Sequence, residues 1–186
     1  MYVHEQTVAA KCIGNTGDLA SRESYHCRLG GLSSCGTALN SYNHVVGYST
    51  VEIKTITTNN QRIPNYETTH AFFHDGKTMI DLGSLGGAGN RWGSDVSVAL
   101  GINNFDLVVG YSYLPVVGEM PIQQVAFLWR RGNMINLNTL LPNYQRNYLL
   151  VSATAINDNG QIVASAYNLD DGVLHSVLLT PNGPTQ

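Results

Sequence analysis

Short runs of alternating or β-branched residues recur along the chain, separated by clusters of Asn, Asp and Gly. In the middle of the sequence they fall at Val98–Ile102, Leu107–Ser112, Val125–Trp129 and Met134–Asn138. A period of two bounded by turn-forming residues predicts strands joined by tight turns. No segment sustains a helical period, and the best helix candidate, Asp18–Glu23, is too short to hold a helix alone. The pattern therefore predicts an all-β chain of low helix content.

The runs are copies of one unit. The stretch Asn40–Ser49 returns as Asn103–Ser112 and, more loosely, as Asn157–Ala166, while Ala71–Leu85 aligns without a gap to Ala126–Leu140. Offsets of about 55 to 63 residues suit the blades of a β-propeller with loop insertions. The copies run at about 38–85, 98–140 and 153–180, each of the first two supplying four strands. The third has runs at Ala153–Ile156, Ile162–Ala166 and His175–Leu179 and then ends, with no counterpart of the Met-Ile-Asn-Leu strand. Residues 25–32 align His26–Leu32 with Met79–Leu85, which marks them as a spare closing strand. Residues 1–24 match no copy and read as an N-terminal extension or cap.

A strand missing at one end and spare at the other is what a ring closed by its own chain ends requires. Three blades fall below the usual range of about four to eight, so two chains would supply six. The expectation is a propeller-like array of about three four-stranded blades, closed as a six-bladed homodimer by exchange of residues 25–32. A monomeric open array or a small closed barrel is the alternative.

Composition narrows the partners. The chain has 186 residues, a formal charge of −3 and only 12% charged residues, without the basic stripe that neutralises phosphates, so nucleic acid is not an expected partner. No apolar run reaches the roughly 20 residues needed to span a bilayer as a helix, and residues 1–10 lack the basic start and apolar core of a secretory signal. Cys12, Cys27 and Cys35 lie ahead of the repeats with spacings that match no zinc pattern. One disulfide with a spare thiol, or three thiols, both fit.

The sequence His70-Ala71-Phe72, with Asp81–Gly87, Ala99–Asn103 and Val108–Ser112, resembles the bacterial HAF-type extracellular repeat, named for its His-Ala-Phe. The likeness covers about residues 25–180. Val125 stands where the second copy's histidine belongs, and the third copy reads His175-Ser176-Val177. The resemblance implies a propeller-like fold in a secreted or surface protein, and it implies no catalytic residue.

For chemistry, a histidine repeated at blade period serves the fold, so His70 and His175 are expected to bond backbone of a neighbouring blade. Phe72 and Phe127 should fill the layers between blades, Gly47 and Gly110 should sit where strands crowd, and Asn40, Asn103 and Asn157 suit left-handed turn positions. The carboxylates Asp95, Asp106, Glu119, Asp158, Asp170 and Asp171 form no acid–base pair by spacing. No nucleophile elbow, phosphate loop or zinc-protease motif is present, and no cofactor is implied. Cys27 beside His26 would point to opposite faces of a strand, and Asp170-Asp171-Gly172 reads as a solvated turn before a calcium site.

Binding through loops is the expected function. The loops that differ between copies are Glu52–Thr69, Gly86–Val96, Tyr113–Gln124 and Pro142–Leu150. Their candidate contact residues are Trp92, Arg91, Tyr66, Tyr113, Tyr144 and Tyr148, with Arg62 and Arg146 as polar companions, suited to a protein or glycan ligand. A protein partner ranks first because a lectin would repeat its site in each blade, and these loops are unlike one another. A hydrolase ranks last.

Overall fold

The computed structural model describes residues 29–51, 56–58, 61–63, 68–86, 95–115, 123–145 and 147–182. These residues contain no α-helix. The strands are β1 (Gly30–Leu39), β2 (Val45–Val51), β3 (Ile56–Thr58), β4 (Gln61–Ile63), β5 (Thr69–His74), β6 (Met79–Asp81), β7 (Ser97–Ile102), β8 (Val108–Tyr113), β9 (Gln124–Arg130), β10 (Asn133–Asn136), β11 (Tyr148–Ile156), β12 (Ile162–Asn168) and β13 (Leu174–Leu179). They form three antiparallel sheets in sequence order. Sheet 1 is β1-β2-β5-β6, sheet 2 is β7-β8-β9-β10 and sheet 3 is β11-β12-β13. A small hairpin, β3-β4, is inserted between β2 and β5. Among the described residues the third sheet has three strands, in line with the three runs read in the third copy.

One correction concerns the closing strand. Gly30–Leu32 open β1 and pair within sheet 1, with Gly30 opposite Val51, so they are not free to complete another sheet. Residues 25–28 and the extension 1–24 lie outside the described residues, as do Cys12 and Cys27. Cys35 is an exposed free thiol.

The sheets stack face to face because each strand alternates its side chains between two apolar faces. Val46, Ala71 and Phe73 of sheet 1 meet Ala99, Val108 and Phe127 of sheet 2 in one core. From its other face, sheet 2 sends Val109, Ala126 and Leu128 against Leu150, Ala164 and Val177 of sheet 3. The register shifts by one residue at the same station of every first strand, at 36/38, 99/101 and 153/155. Opposite these bulges stand Gly47, Gly110 and Ala164. A Cβ on Gly47 would fall on the carbonyl of Cys35, and one on Gly110 on that of Val98, so the crowding expected at these glycines comes from the bulged neighbour strand.

The repeated asparagine turns work differently from expectation. Left-handed backbone falls at Asn43 (φ 63°), Asp106 (φ 57°) and Gly160 (φ 72°), three residues after Asn40, Asn103 and Asn157. Those asparagines instead close the turns with their side chains. Asn40 Oδ1 accepts from Tyr42 N–H and His44 N–H, both at 3.0 Å, and Asn103 Oδ1 does the same for Phe105 and Leu107. A short polar side chain that caps its own turn is an Asx turn.

Candidate functional site

The asparagine turns also tie one sheet to the next. Asn40 Nδ2 donates to Asn103 O at 3.1 Å, and Asn103 Nδ2 donates to Asn157 O at 3.0 Å. A parallel rung joins Ser41 N–H to Asn104 Oδ1 and Asn104 N–H to Asp158 Oδ1. At Asn157 the series ends, and its Nδ2 turns back to Gln161 Oε1 in its own turn.

The stack is open at that same end. On sheets 1 and 2, Val46 and Val109 are buried by the following sheet. Their counterpart on sheet 3, Val163, is 44% exposed, and Leu178 opposite it is 61% exposed. Beyond Ser165 and Ser176 on this face, Tyr167 and Leu174 are also exposed. Of the two edge strands of sheet 3, β11 packs on β7, β8 and β9 of sheet 2, whereas the described neighbour of β13 is β12.

Beside that edge lies a cleft. Between sheets 1 and 2 the ring of Phe73 stacks on Trp129 with centroids 6.1 Å apart, and Met134 of β10 packs on the same core. Between sheets 2 and 3, Leu128 takes the station of Phe73 and Leu179 that of Trp129, and among the described residues none takes that of Met134. An apolar cleft of about 770 Å³ results, lined by Leu128, Leu137, Leu141, Tyr148, Val177 and Leu179 among others. Mostly apolar walls beside an open strand edge can take up an extended peptide, the edge supplying backbone hydrogen bonds and the cleft taking side chains.

His70 clasps sheet 1 to the entry of sheet 2. Its Nδ1 lies 2.9 Å from both carboxylate oxygens of Asp81, and its Nε2 lies 2.9 Å from Asp95 Oδ1, which also accepts from Ser84 Oγ at 2.6 Å. Carboxylates only accept, so both ring nitrogens donate and the ring is an imidazolium. Burial opposes that charge, but hydrogen bonds and charge from Asp81, then Asp95, outweigh it and raise the His70 pKa above its ordinary value. With both nitrogens engaged, His70 has no lone pair left for a proton or a metal. The expected partner was backbone, whereas the structure supplies two carboxylates, Asp81 and Asp95. The signal was the eleven-residue spacing of His70 and Asp81, which sets them diagonally across adjacent strands β5 and β6. His175, at the same repeat position, is exposed and meets Asp171 of its own turn at 3.2 Å. Asp170 and Asp171 are occupied in that turn by Asn147, Asn168 and Val173 N–H.

Among the aromatic candidates, Tyr148 opens β11 and lines the cleft. Tyr113 ends β8, its ring edge-on to Tyr111 at 6.2 Å, and is not among the cleft residues. Tyr144 sits in the 3-10 turn Asn143–Gln145. Tyr66, Arg91, Trp92 and Arg146 lie outside the described residues. Sequence reasoning found no counterpart of the Met-Ile-Asn-Leu strand in the third copy but looked for contacts in the loops, and so missed the cleft beside β13.

Fold and site define an all-β chain of tandem antiparallel sheets, stacked in sequence and open at one end. The model of the DUF3466 family, described as a protein of unknown function, matches residues 32–173, and the chain belongs to that family. No curated protein and no solved structure matches it.

Proposed function

We propose that this chain is a non-catalytic protein-recognition module, and that it binds other polypeptides as β-strands added to its third sheet. The carrying observation is the coincidence, at one end of the stack, of the free edge of β13 with an apolar cleft where sheet 2 has a fourth strand. Both features suit a polypeptide backbone and alternating apolar side chains, whereas a sugar would be met by polar groups and stacking rings. The His-Ala-Phe likeness adds a secreted or surface setting and a propeller-like arrangement of the sheets to this reading.

The test uses a peptide copying Lys77–Leu85, the natural fourth strand of sheet 1, and a glycan array run beside it. Saturable peptide binding with slowed amide exchange in Leu174–Leu179 is expected, together with a blank array. Saturable glycan binding, or peptide binding that leaves β13 exchange unchanged, would overturn the proposal.

A further inference from the structure

The outer face of sheet 3 carries three rows of side chains that run across β11, β12 and β13, and none of these residues is charged. Leu149, Tyr167 and Leu174 form one end row, and Ala155, Val163 and Leu178 form the other. Ser152, Ser165 and Ser176 lie between them. Residues directly opposite on neighbouring strands point to the same face, so each row is a band of adjoining side chains. A sheet face left to water ordinarily alternates in polar residues. Here Val163 is 44%, Tyr167 40%, Leu174 58% and Leu178 61% exposed, and the turn from β12 to β13 adds the exposed Leu169 and Val173 at one end.

The same face of the two earlier sheets is covered. The row Ala155-Val163-Leu178 is the counterpart of Ala38-Val46-Phe73, which meets sheet 2, and of Gly101-Val109-Leu128, which meets sheet 3. A second copy has one sheet face left to offer in return. Both faces of sheet 2 are taken up in the two cores. The far face of sheet 1 is closed as well, since Phe72 and His74, which alternate with Ala71 and Phe73, are 2% and 1% exposed in the single chain. What remains is the outer face of the other copy's sheet 3, and the rows are self-complementary. A two-fold axis crossing the strands along the serines lays each row of large side chains, Leu149-Tyr167-Leu174, over the smaller row Ala155-Val163-Leu178. The serine hydroxyls of the two copies then meet at the centre, where each can donate and accept.

We infer that the chain forms a two-fold homodimer by packing the outer face of sheet 3 on the same face of a second copy. A contact that uses one surface twice closes at two molecules. The exposed parts of the six large apolar residues come to about 600 Å² per copy, the upper end for the largest apolar patch of a monomer. Burying both patches removes about 1,200 Å², the lower end for a specific interface, so the dimer is reversible in the micromolar range. It does not depend on strand recognition at the edge of β13, which lies to the side of this face.

Sedimentation equilibrium of the full-length chain, from micromolar to submillimolar concentration, should show the mass rising from 20.2 kDa towards twice that value. The double variant Val163→Lys, Tyr167→Lys changes two exposed side chains of β12 that do not line the cleft. It should keep its β-sheet spectrum while the dimer weakens at least tenfold. Ser176→Glu, which sets two carboxylates on the axis, should weaken the dimer in the same way. A photo-cross-linking residue at position 167, in a mixture of differently isotope-labelled copies, should map to Ala155, Val163 or Leu178 of the other copy. A single-chain mass at every concentration, a dimer indifferent to both variants, or intermolecular cross-links that map elsewhere would overturn the inference. The monomeric variants should still bind the Lys77–Leu85 peptide at β13, so that failure of the dimer and failure of strand recognition are told apart.

Discussion

Between sheets 1 and 2 the outer edge of the shared core is filled by Trp129 and Met134, whereas between sheets 2 and 3 the corresponding edge holds a cleft. Both use the same stations. The first has Phe73 against Trp129, Met134 above them and the His70 clasp to Asp95. The second has Leu128 against Leu179, a cleft where the methionine would be, and Val125 in place of the histidine. Gln124, next to Val125, supplies a replacement tie, its Nε2 donating to Val151 O at 3.2 Å. Among the described residues the outer strand is thus what separates the two layers, and in the proposed reading the space beside β13 is where a polypeptide strand binds.

The largest effect should come from the bulge common to both interfaces. Gly110→Ala would drive a Cβ into Val98 O and part β7 from β8; loss of cooperative unfolding, or a penalty above about 3 kcal/mol in urea titration, is expected. Next comes the contrast between the sealed and the open layer. Phe127→Ala removes a fully buried ring and should cost about 3–5 kcal/mol. Leu179→Ala, beside the cleft, should cost less than about 2 kcal/mol, since its neighbours already lack full packing. Equal costs would show that the cleft is filled in solution.

Much of this comparison was legible in the sequence, since strand positions follow from alternation and the three-strand third copy from the missing Met-Ile-Asn-Leu run. The sequence alignment sets Leu29 on Leu82, three residues before Leu85, because Leu-Gly repeats within Leu82–Gly87 and the two registers score alike by residue type. Only the hydrogen bonds from Leu29 N–H to Ser49 Oγ and from Leu85 N–H to Ser112 Oγ separate them. Leu137–Leu140, expected in part as strand, is a 3-10 turn capped by Asn136, whose side chain accepts from Asn138 N–H. The asparagines drew attention for their backbone freedom, although their role lies in the side-chain amide.

Smaller effects sharpen the comparison further. Asn103→Ala breaks the turn closure of sheet 2 and its tie to Asn157 O, while the bond from Asn40 Nδ2 to the Asn103 backbone carbonyl is kept, and should cost about 2 kcal/mol. Asn157→Ala, at the open end, should cost about 1 kcal/mol or less by the same measurement. Smallest is the pH response of the clasp. His70 titrates upward on folding, so its contribution is complete below about pH 6.5 and is lost as pH rises through its folded pKa. Asp81, held below the ordinary carboxylate range by His70 and Gly83 N–H against the opposing pull of burial, contributes above about pH 4 and loses its contribution on acidification. Melting temperature should therefore fall by a few degrees between pH 6 and pH 9, and His70→Gln should flatten that limb.

The line of asparagine rungs has a consequence for how the molecule comes apart. Each rung couples only nearest neighbours, from 40 to 103 and from 103 to 157, so the free energy of a unit depends on how many of its neighbours are in place. Unzipping then begins at the unit with one neighbour and no outer strand, and amide protons of Tyr148–Leu179 should exchange before those of Ser97–Asn136. A second molecule bound there would move the weakest point of the array elsewhere, which makes the order of exchange a record of whether the end is occupied.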